Sequence, residues 1–269
     1  MMRKSVALPA VALLVFACMA EVCAEEVAKS QGPPARRYFY QYTMLQTHAF
    51  PSYEPYDTGI VRLMFERIGT GRFGDDYFFL GVTSYNGENY SSKAGALYFK
   101  YAPCLSVDKV VGAKVVPFGF IGDLFLTGQM NSGDLPYLRT VWLYGIAWDI
   151  ANLPNHGRWR FYALVRREDK NATTHQYTIM WAQPFNTGKI RWIFNGWGAH
   201  WDNDMIDDVV KFEPQLRVAL SSFLAESNFL YGVHIGGELE VSHHYQVDPK
   251  TYEVCGWTVN PSIFCAIPF

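Results

Sequence analysis

The chain has 269 residues, 23 basic and 25 acidic side chains, a formal charge of −2 and 49% hydrophobic residues. That near-neutral balance excludes a nucleic-acid partner held by a basic surface, and the length allows one large domain or two small ones. Beyond the N-terminal segment no stretch reaches the ~18 consecutive apolar residues that a spanning helix needs.

Arg3 and Lys4 precede an apolar run from Val6 to Ala20, and Val22-Cys23-Ala24 places small residues at the cleavage-determining positions. The pattern predicts a secretory signal peptide over residues 1–24, cleaved after Ala24. A lipoprotein signal is the rival, but neither Phe16-Ala17-Cys18 nor Glu21-Val22-Cys23 has the usual small residue two before the Cys. A polar leader over 25–37, carrying Pro33-Pro34, is expected to be periplasmic and to join the signal to a β-domain over 38–269. Cys104, Cys255 and Cys265 remain, an odd set at irregular spacing that fits neither a disulfide framework nor a zinc site. No metal or other cofactor is expected.

From Tyr38 onward the chain alternates. In order, strands are predicted at Tyr38–His48, Gly59–Ile68, Tyr77–Tyr85, Ala96–Ala102, Val116–Phe125 and Arg139–Ile150. They continue at Arg158–Arg167, Gln176–Gln183, Lys189–His200, Val210–Leu220, Leu230–Ser242 and Val254–Phe269. The clearest is Val210–Leu220, where Val210, Phe212, Leu216 and Val218 oppose Lys211, Glu213, Gln215 and Arg217. A period of two sends such sets to opposite faces of a strand. Gly-, Asn- and Asp-rich pieces such as "NGENYSSKAG", "TGQMNSGDLP" and "QPFNTG" read as turns between the strands.

A soluble β-sandwich or lipocalin would turn the apolar parity inward, whereas a transmembrane barrel turns it to lipid and the polar parity to the lumen. Four features favour the barrel. Several runs reach the 9–11 residues of a tilted membrane strand rather than the commoner five or six. Trp and Tyr recur near predicted strand ends (Tyr38, Trp159, Trp181, Trp192, Tyr231, Trp257), as interfacial girdles require. The strand number is even, which puts both ends of the barrel segment on one side. Finally Trp257, Val259, Ile263, Cys265, Ile267 and Phe269 share one parity through the last residue. About 19 residues per strand-plus-connection match a ten-residue strand and a moderate loop. The expected fold is therefore all-β, a transmembrane antiparallel β-barrel of about 12 strands. Pro214 and Pro261 fall inside strands, where local bulges are expected.

"GALYFKYAPCLSVDK" (95–109), "DLFLTGQMNSG" (123–133), "YGIAWDIA" (144–151), "FYALVRRED" (161–169), "YTIMWAQPF" (177–185), "IFNGWGAHWDND" (193–204) and "FEPQLRV" (212–218) occur in that order. Together they resemble the nucleoside-specific channel-forming outer-membrane porins, the Tsx-like family, over roughly Gly95 to Phe269. The resemblance implies a monomeric twelve-stranded barrel in the outer membrane of a Gram-negative-type envelope, with a narrow pore for nucleosides. It also implies that Phe269 belongs to the signal read by the barrel-assembly machinery.

On the alternation, the lumen-facing charges are Arg62 and Glu66, Lys100, Arg158, Arg160 and Arg166, Arg191, Lys211, Glu213 and Arg217, and His234, Glu238 and Glu240. Mixed signs in a barrel of intermediate width suit small polar solutes. Tyr162 and Trp197 offer rings for stacking a base, with Asn195 nearby for hydrogen bonding. The competing expectation is that these charges pair across strands and merely line or plug the barrel. Asp202, Asp204, Asp207 and Asp208 beside His200 have the chemistry of a hard-cation site, but not the EF-hand order, so a solvated outer loop is expected. Cys255 and Cys265 lie ten residues, about 33 Å, apart along one strand. Cys104 is assigned to a periplasmic connection and Cys255 to the opposite rim, so no disulfide is expected.

The functional expectation is passive uptake of small polar solutes, nucleosides by the resemblance, and no enzymatic activity. Two alternatives stay open: a barrel enzyme or one with another substrate, and a soluble secreted β-protein that binds a hydrophobic ligand.

Overall fold

The computed structural model describes residues 42–54, 58–85, 96–115, 119–133, 140–168, 173–202, 208–246 and 253–269. The predicted signal, the leader and residues 38–41 lie outside them. The alternating segments form β1 (Tyr42–Tyr53), β2 (Thr58–Thr70), β3 (Gly74–Tyr85), β4 (Ala96–Ser106), β5 (Ile121–Gly133) and β6 (Val141–Ile150). They are followed by β7 (Arg158–Glu168), β8 (Thr173–Thr187), β9 (Ile190–Trp201), β10 (Val209–Ala219), β11 (His234–His243) and β12 (Trp257–Pro268). Each strand pairs antiparallel with the next, and β12 pairs back onto β1 from Met44↔Pro268 to Ala49↔Ile263, closing a twelve-strand barrel. Strand lengths run from 10 to 15 residues, as tilted membrane strands require.

The surface is inverted relative to a water-soluble barrel. Val61, Leu63, Leu126, Trp142, Ile146, Leu239, Ile263 and Ile267 project outward and are exposed. Gln46, His48, Arg160, Lys211, Arg217, Glu238 and Glu240 project inward and are buried. An apolar exterior around a charged interior is the transmembrane pattern, and it counts against the soluble-binder alternative. In β12 the predicted parity holds to the end of the strand, with Cys265 and Ile267 outward and Phe264 and Ala266 buried inside.

Two rims follow from the topology. β1 begins and β12 ends on one, here the terminal rim, which also carries the connections 71–73, 107–120, 151–157, 188–189 and 220–233. The tightest is Gly188-Lys189, where Gly188 has φ 61° at the first central position, the type II′ pattern that suits strand twist. The longer 107–120 connection starts with a short helix, α1 (Val107–Val111), capped by Ser106 Oγ accepting from the Lys109 N–H and ended by Gly112 in the left-handed region at φ 75°. The opposite, far rim joins β1–β2, β3–β4, β5–β6, β7–β8, β9–β10 and β11–β12.

Several expectations are corrected. No bulge occurs at Pro214 or Pro261. The β10–β11 ladder keeps one register but skips residues 213–214, between Phe212↔Val241 and Gln215↔Glu238. The β1–β12 ladder stops at Ile263, before Pro261. Pro103 sits in a similar gap of the β4–β5 ladder, and Pro184 lies past the end of the β7–β8 ladder. Each ring thus occupies a place where one neighbour offers no partner, so the missing N–H costs nothing.

Cys104 is not in a connection. β4 runs on to Ser106, and the thiol points inward, 3.4 Å from Thr127 Oγ1. Cys104, Cys255 and Cys265 are thiols, with no disulfide among the described residues. β5 begins later than predicted and extends through "TGQMNSG", because Thr127 and Gln129 face inward rather than turning the chain. Likewise "QPFNT" continues β8, and residues before His234 form turns rather than strand. Trp181 is mid-strand and buried on the outer face among Trp159, Phe194 and Phe212, its ring over Gly196, instead of standing in a rim girdle.

Candidate solute-binding site in the barrel interior

The interior divides into walls of different character. On β4–β7, Cys104, Phe125, Val141, Leu143, Ala147, Tyr162 and Leu164 pack into one buried apolar cluster, with Met180 of β8 against it. Opposite in strand order, β9, β10, β11, β12, β1 and β2 present polar side chains joined into a belt. Asn195 Nδ2 donates to Gln215 Oε1 (2.9 Å), and Gln215 Nε2 donates to Glu238 Oε2. Glu238 Oε1 lies 3.4 Å from His48 Nδ1, which is also 3.1 Å from Ser262 Oγ. His48 Nε2 lies 3.0 Å from Gln46 Oε1, and Gln46 Nε2 donates to Glu66 Oε2 at 3.1 Å. An amide oxygen only accepts, so this arrangement places a proton on His48 Nε2. The imidazole stacks on Phe264 at 4.5 Å. Six neighbouring strands are thereby tied together on their inner face.

Toward the far rim Glu240, fully buried, accepts from Tyr53 Oη (2.6 Å), Arg62 Nη1 (3.1 Å) and Gln246 Nε2 (3.1 Å). Arg62 also covers the Phe50 ring at 4.9 Å. Beside it Lys211 pairs with Glu213 at 2.9 Å, and Trp197 Nε1 donates to Glu213 Oε2 at 2.6 Å. Toward the terminal rim Asp75 and Asp149 are shared by Arg158 and Arg160, with Arg160 Nη2 at 3.0 Å from Asp75 and 2.9 Å from Asp149. Lys109 of α1 reaches Asp75 at 3.4 Å. Arg160 also lies 3.7 Å over the Phe125 ring, where the charged and apolar walls meet.

No family model and no curated protein matches the chain. The site is therefore defined by its geometry.

Of the residues singled out from the sequence, Arg62, Glu66, Lys100, Arg160, Tyr162, Asn195, Trp197, Lys211, Glu213, Arg217, His234 and Glu238 lie on inward-facing strand positions. Arg191 has inward parity too, but stands exposed at the terminal rim, donating to Ser221 Oγ at 2.7 Å. Tyr162 belongs to the apolar cluster, its hydroxyl 3.5 Å from Met180 Sδ, and Asn195 is spent in the belt. Cross-strand ion pairs hold Arg62, Arg158, Arg160, Lys211 and Glu240, whereas Arg166 pairs with Glu168 and Lys211 with Glu213 within their own strands. Like Arg62, Arg158 and Asp149, the inward side chains Glu66, Tyr77, Phe79, Tyr98 and Lys100 on β2–β4 and Trp197 and Glu213 on β9–β10 are only half-buried. They form a strip of rings and charged groups along the inner face.

Tyr77 and Phe79 escape sequence reading because the predicted strand begins at Tyr77 and leaves Asp75, the charge on its inner parity, in a turn; Tyr98 shares the parity of Lys100 but carries no charge of its own. At the acidic loop, the ligand atoms of His200, Asp202 and Asp208 lie within 4.8 Å of one another, with His200 Nε2 3.2 Å from Asp208 Oδ2. All three stand outside the buried interior, and Asp204 and Asp207 fall outside the described residues.

Proposed function

We propose that the chain is an outer-membrane channel, exported with a cleaved signal peptide and acting as a monomer, through which small polar solutes, nucleosides first among them, pass without chemical change. The observation that carries this reading is the half-buried strip, in which the Trp197 ring, anchored through its N–H to Glu213, faces Lys100 of β4, with charged groups of both signs beside it. Rings stack a flat heterocycle and the polar groups bond its edges and a ribose. The nucleoside assignment rests on the resemblance of residues 95–269 to the Tsx-like porins.

An enzyme has less support. A Ser, a His and a Glu do meet in the interior, but Ser262 and Glu238 both lie against His48 Nδ1 while Gln46 occupies Nε2. A relay needs the nucleophile on one nitrogen and the carboxylate on the other, and Ser262 is buried.

Planar-bilayer recording tests the proposal. The purified chain is expected to give discrete conductance steps that adenosine reduces in a saturable manner and glucose does not. Absence of a pore, or block by glucose alone, would overturn the reading.

A further inference from the structure

The interior cations differ in how they are satisfied. Arg62, Arg158, Arg160, Arg166 and Lys211 each have a carboxylate within ion-pair distance. Lys100 has none. Its ammonium sits between two ring faces, 5.4 Å from the centroid of Tyr77 and 5.3 Å from that of Trp197. No side-chain hydrogen bond or ion pair joins it to any described residue. The nearby carboxylates are already engaged. Glu213 accepts from Trp197 and Lys211, and Glu66 accepts from Gln46. An ammonium carries three donors and no acceptor. Cation–π contact stabilises its charge but supplies no oxygen, and a half-buried donor without an acceptor is costly. The position is complete only when an acceptor arrives from the lumen.

What else is there decides the rest of the solute. Tyr98 and Phe79 pack edge-on at 5.9 Å beside the Tyr77–Lys100–Trp197 sandwich, so the walls around the ammonium are ring faces and edges. A small inorganic anion would satisfy the ammonium and leave those rings against water. A flat ring bearing a carboxylate satisfies both.

We propose that Lys100 is the anion-receiving residue of the lumen site and that the solutes it selects are aromatic carboxylates, held by the ammonium through the carboxylate and by the Trp197 and Tyr98 rings through the aromatic plane. The proposal rests on reading the interior as a solute path, and it names a charge class that a channel for neutral nucleosides does not require.

Equilibrium dialysis of the detergent-solubilised full chain against benzoate and its neutral isostere benzamide tests it without needing conduction. Benzoate is expected to bind about tenfold or more tightly than benzamide, as a charge-assisted hydrogen bond to a partly desolvated ammonium allows. The difference should vanish in Lys100→Gln and persist in Lys100→Arg. Should Lys100→Gln not fold, Lys100→Met keeps the apolar stem between the two rings and makes the same comparison. Equal binding of the two ligands by the unaltered chain, or a benzoate preference that survives removal of the charge, overturns the proposal. The two readings fail separately. A chain that forms no pore yet keeps the Lys100-dependent preference overturns the transport reading alone. A pore closed by adenosine in a chain indifferent to benzoate overturns this one alone.

Discussion

Glu240 offers the sharpest test of the interior network, because one carboxylate holds side chains from strands that are not neighbours. It belongs to β11, while Tyr53 belongs to β1 and Arg62 to β2. The Glu240 side chain is 0% exposed and that of Arg62 is 13% exposed. Glu240→Ala therefore leaves a guanidinium, a phenol and the Gln246 amide without their shared acceptor in a nearly dry place. Breaking such a pair by removing one partner costs about 3–5 kcal/mol. Arg62 keeps its contact with Phe50 and a hydrogen bond to Thr83 Oγ1, which points to the lower end, about 3 kcal/mol. With a urea slope of about 3 kcal/mol per molar, the unfolding midpoint should fall by about 1 M. The assay is urea unfolding of the barrel in micelles, followed by the heat-modifiable band on gels. Replacing both charges, Arg62→Met with Glu240→Met, removes the stranded cation, since Lys211 retains Glu213, and should recover most of the loss. A single-variant midpoint within about 0.3 M of the parent, that is about 1 kcal/mol, would refute the reasoning. So would a double variant as damaged as the single one.

Ile263 on β12 faces outward and is 68% exposed. If that face meets acyl chains, Ile263→Arg should cost about 2–4 kcal/mol for the barrel folded in liposomes, whereas a cost below about 0.5 kcal/mol is that of a water-exposed site and would take this face out of the bilayer. At the terminal rim, Asp75→Asn strips Arg158, Arg160 and Lys109 of a shared carboxylate. Its zero-current potential in a KCl gradient should move toward anions, and no movement would mean that these charges lie off the ion path. Two or three polar residues appended after Phe269 should abolish the heat-modifiable form in cells. Normal assembly of that variant would show that the terminal aromatic is not what the assembly machinery reads.

The barrel was legible because its physics is periodic. The sequence pattern located a segment of each strand, and the parity of β7, β10 and β11 was readable where charges marked one face, as in Arg158–Arg160 and Lys211–Glu213, while that of β12 was readable from its apolar residues alone. Ends were less legible. Gly, Asn and Ser signal turns in a soluble protein, yet in β5 they continue a strand whose polar side chains face a polar interior. The site was legible only one strand at a time. Lys100 and Trp197 were identifiable as inward-facing, but their meeting depends on the barrel bringing β4 across to β9, which no local pattern encodes. His48, Gln46 and Ser262 were missed because short polar residues on β1 and β12 also suit rims and loops. The apolar inner wall of β6 was missed because Val141, Leu143 and Ala147 match what lipid-facing positions would carry.

That apolar wall bears on how a barrel of this width selects. Twelve strands enclose more space than the eight that side chains fill completely, and here the surplus is unevenly distributed. The β9–β2 belt lines one side with hydrogen-bonded polar groups, while the β4–β7 cluster lines the opposite side with carbon. Most of the belt's side chains bond one another, with Asn195 Oδ1 and Arg217 Nε left over, and the cluster's surface meets its own kind. Water or a solute gains little at either. Between them the strip around Lys100 and Trp197 combines ring faces with an ammonium that has hydrogen-bonding capacity left over. A solute crossing there exchanges its hydration for those groups alone. On the proposed channel reading, selectivity depends on few side chains, and the Lys100 and Trp197 positions should change it more than any substitution in the belt, where loss of a partner is felt first as loss of stability.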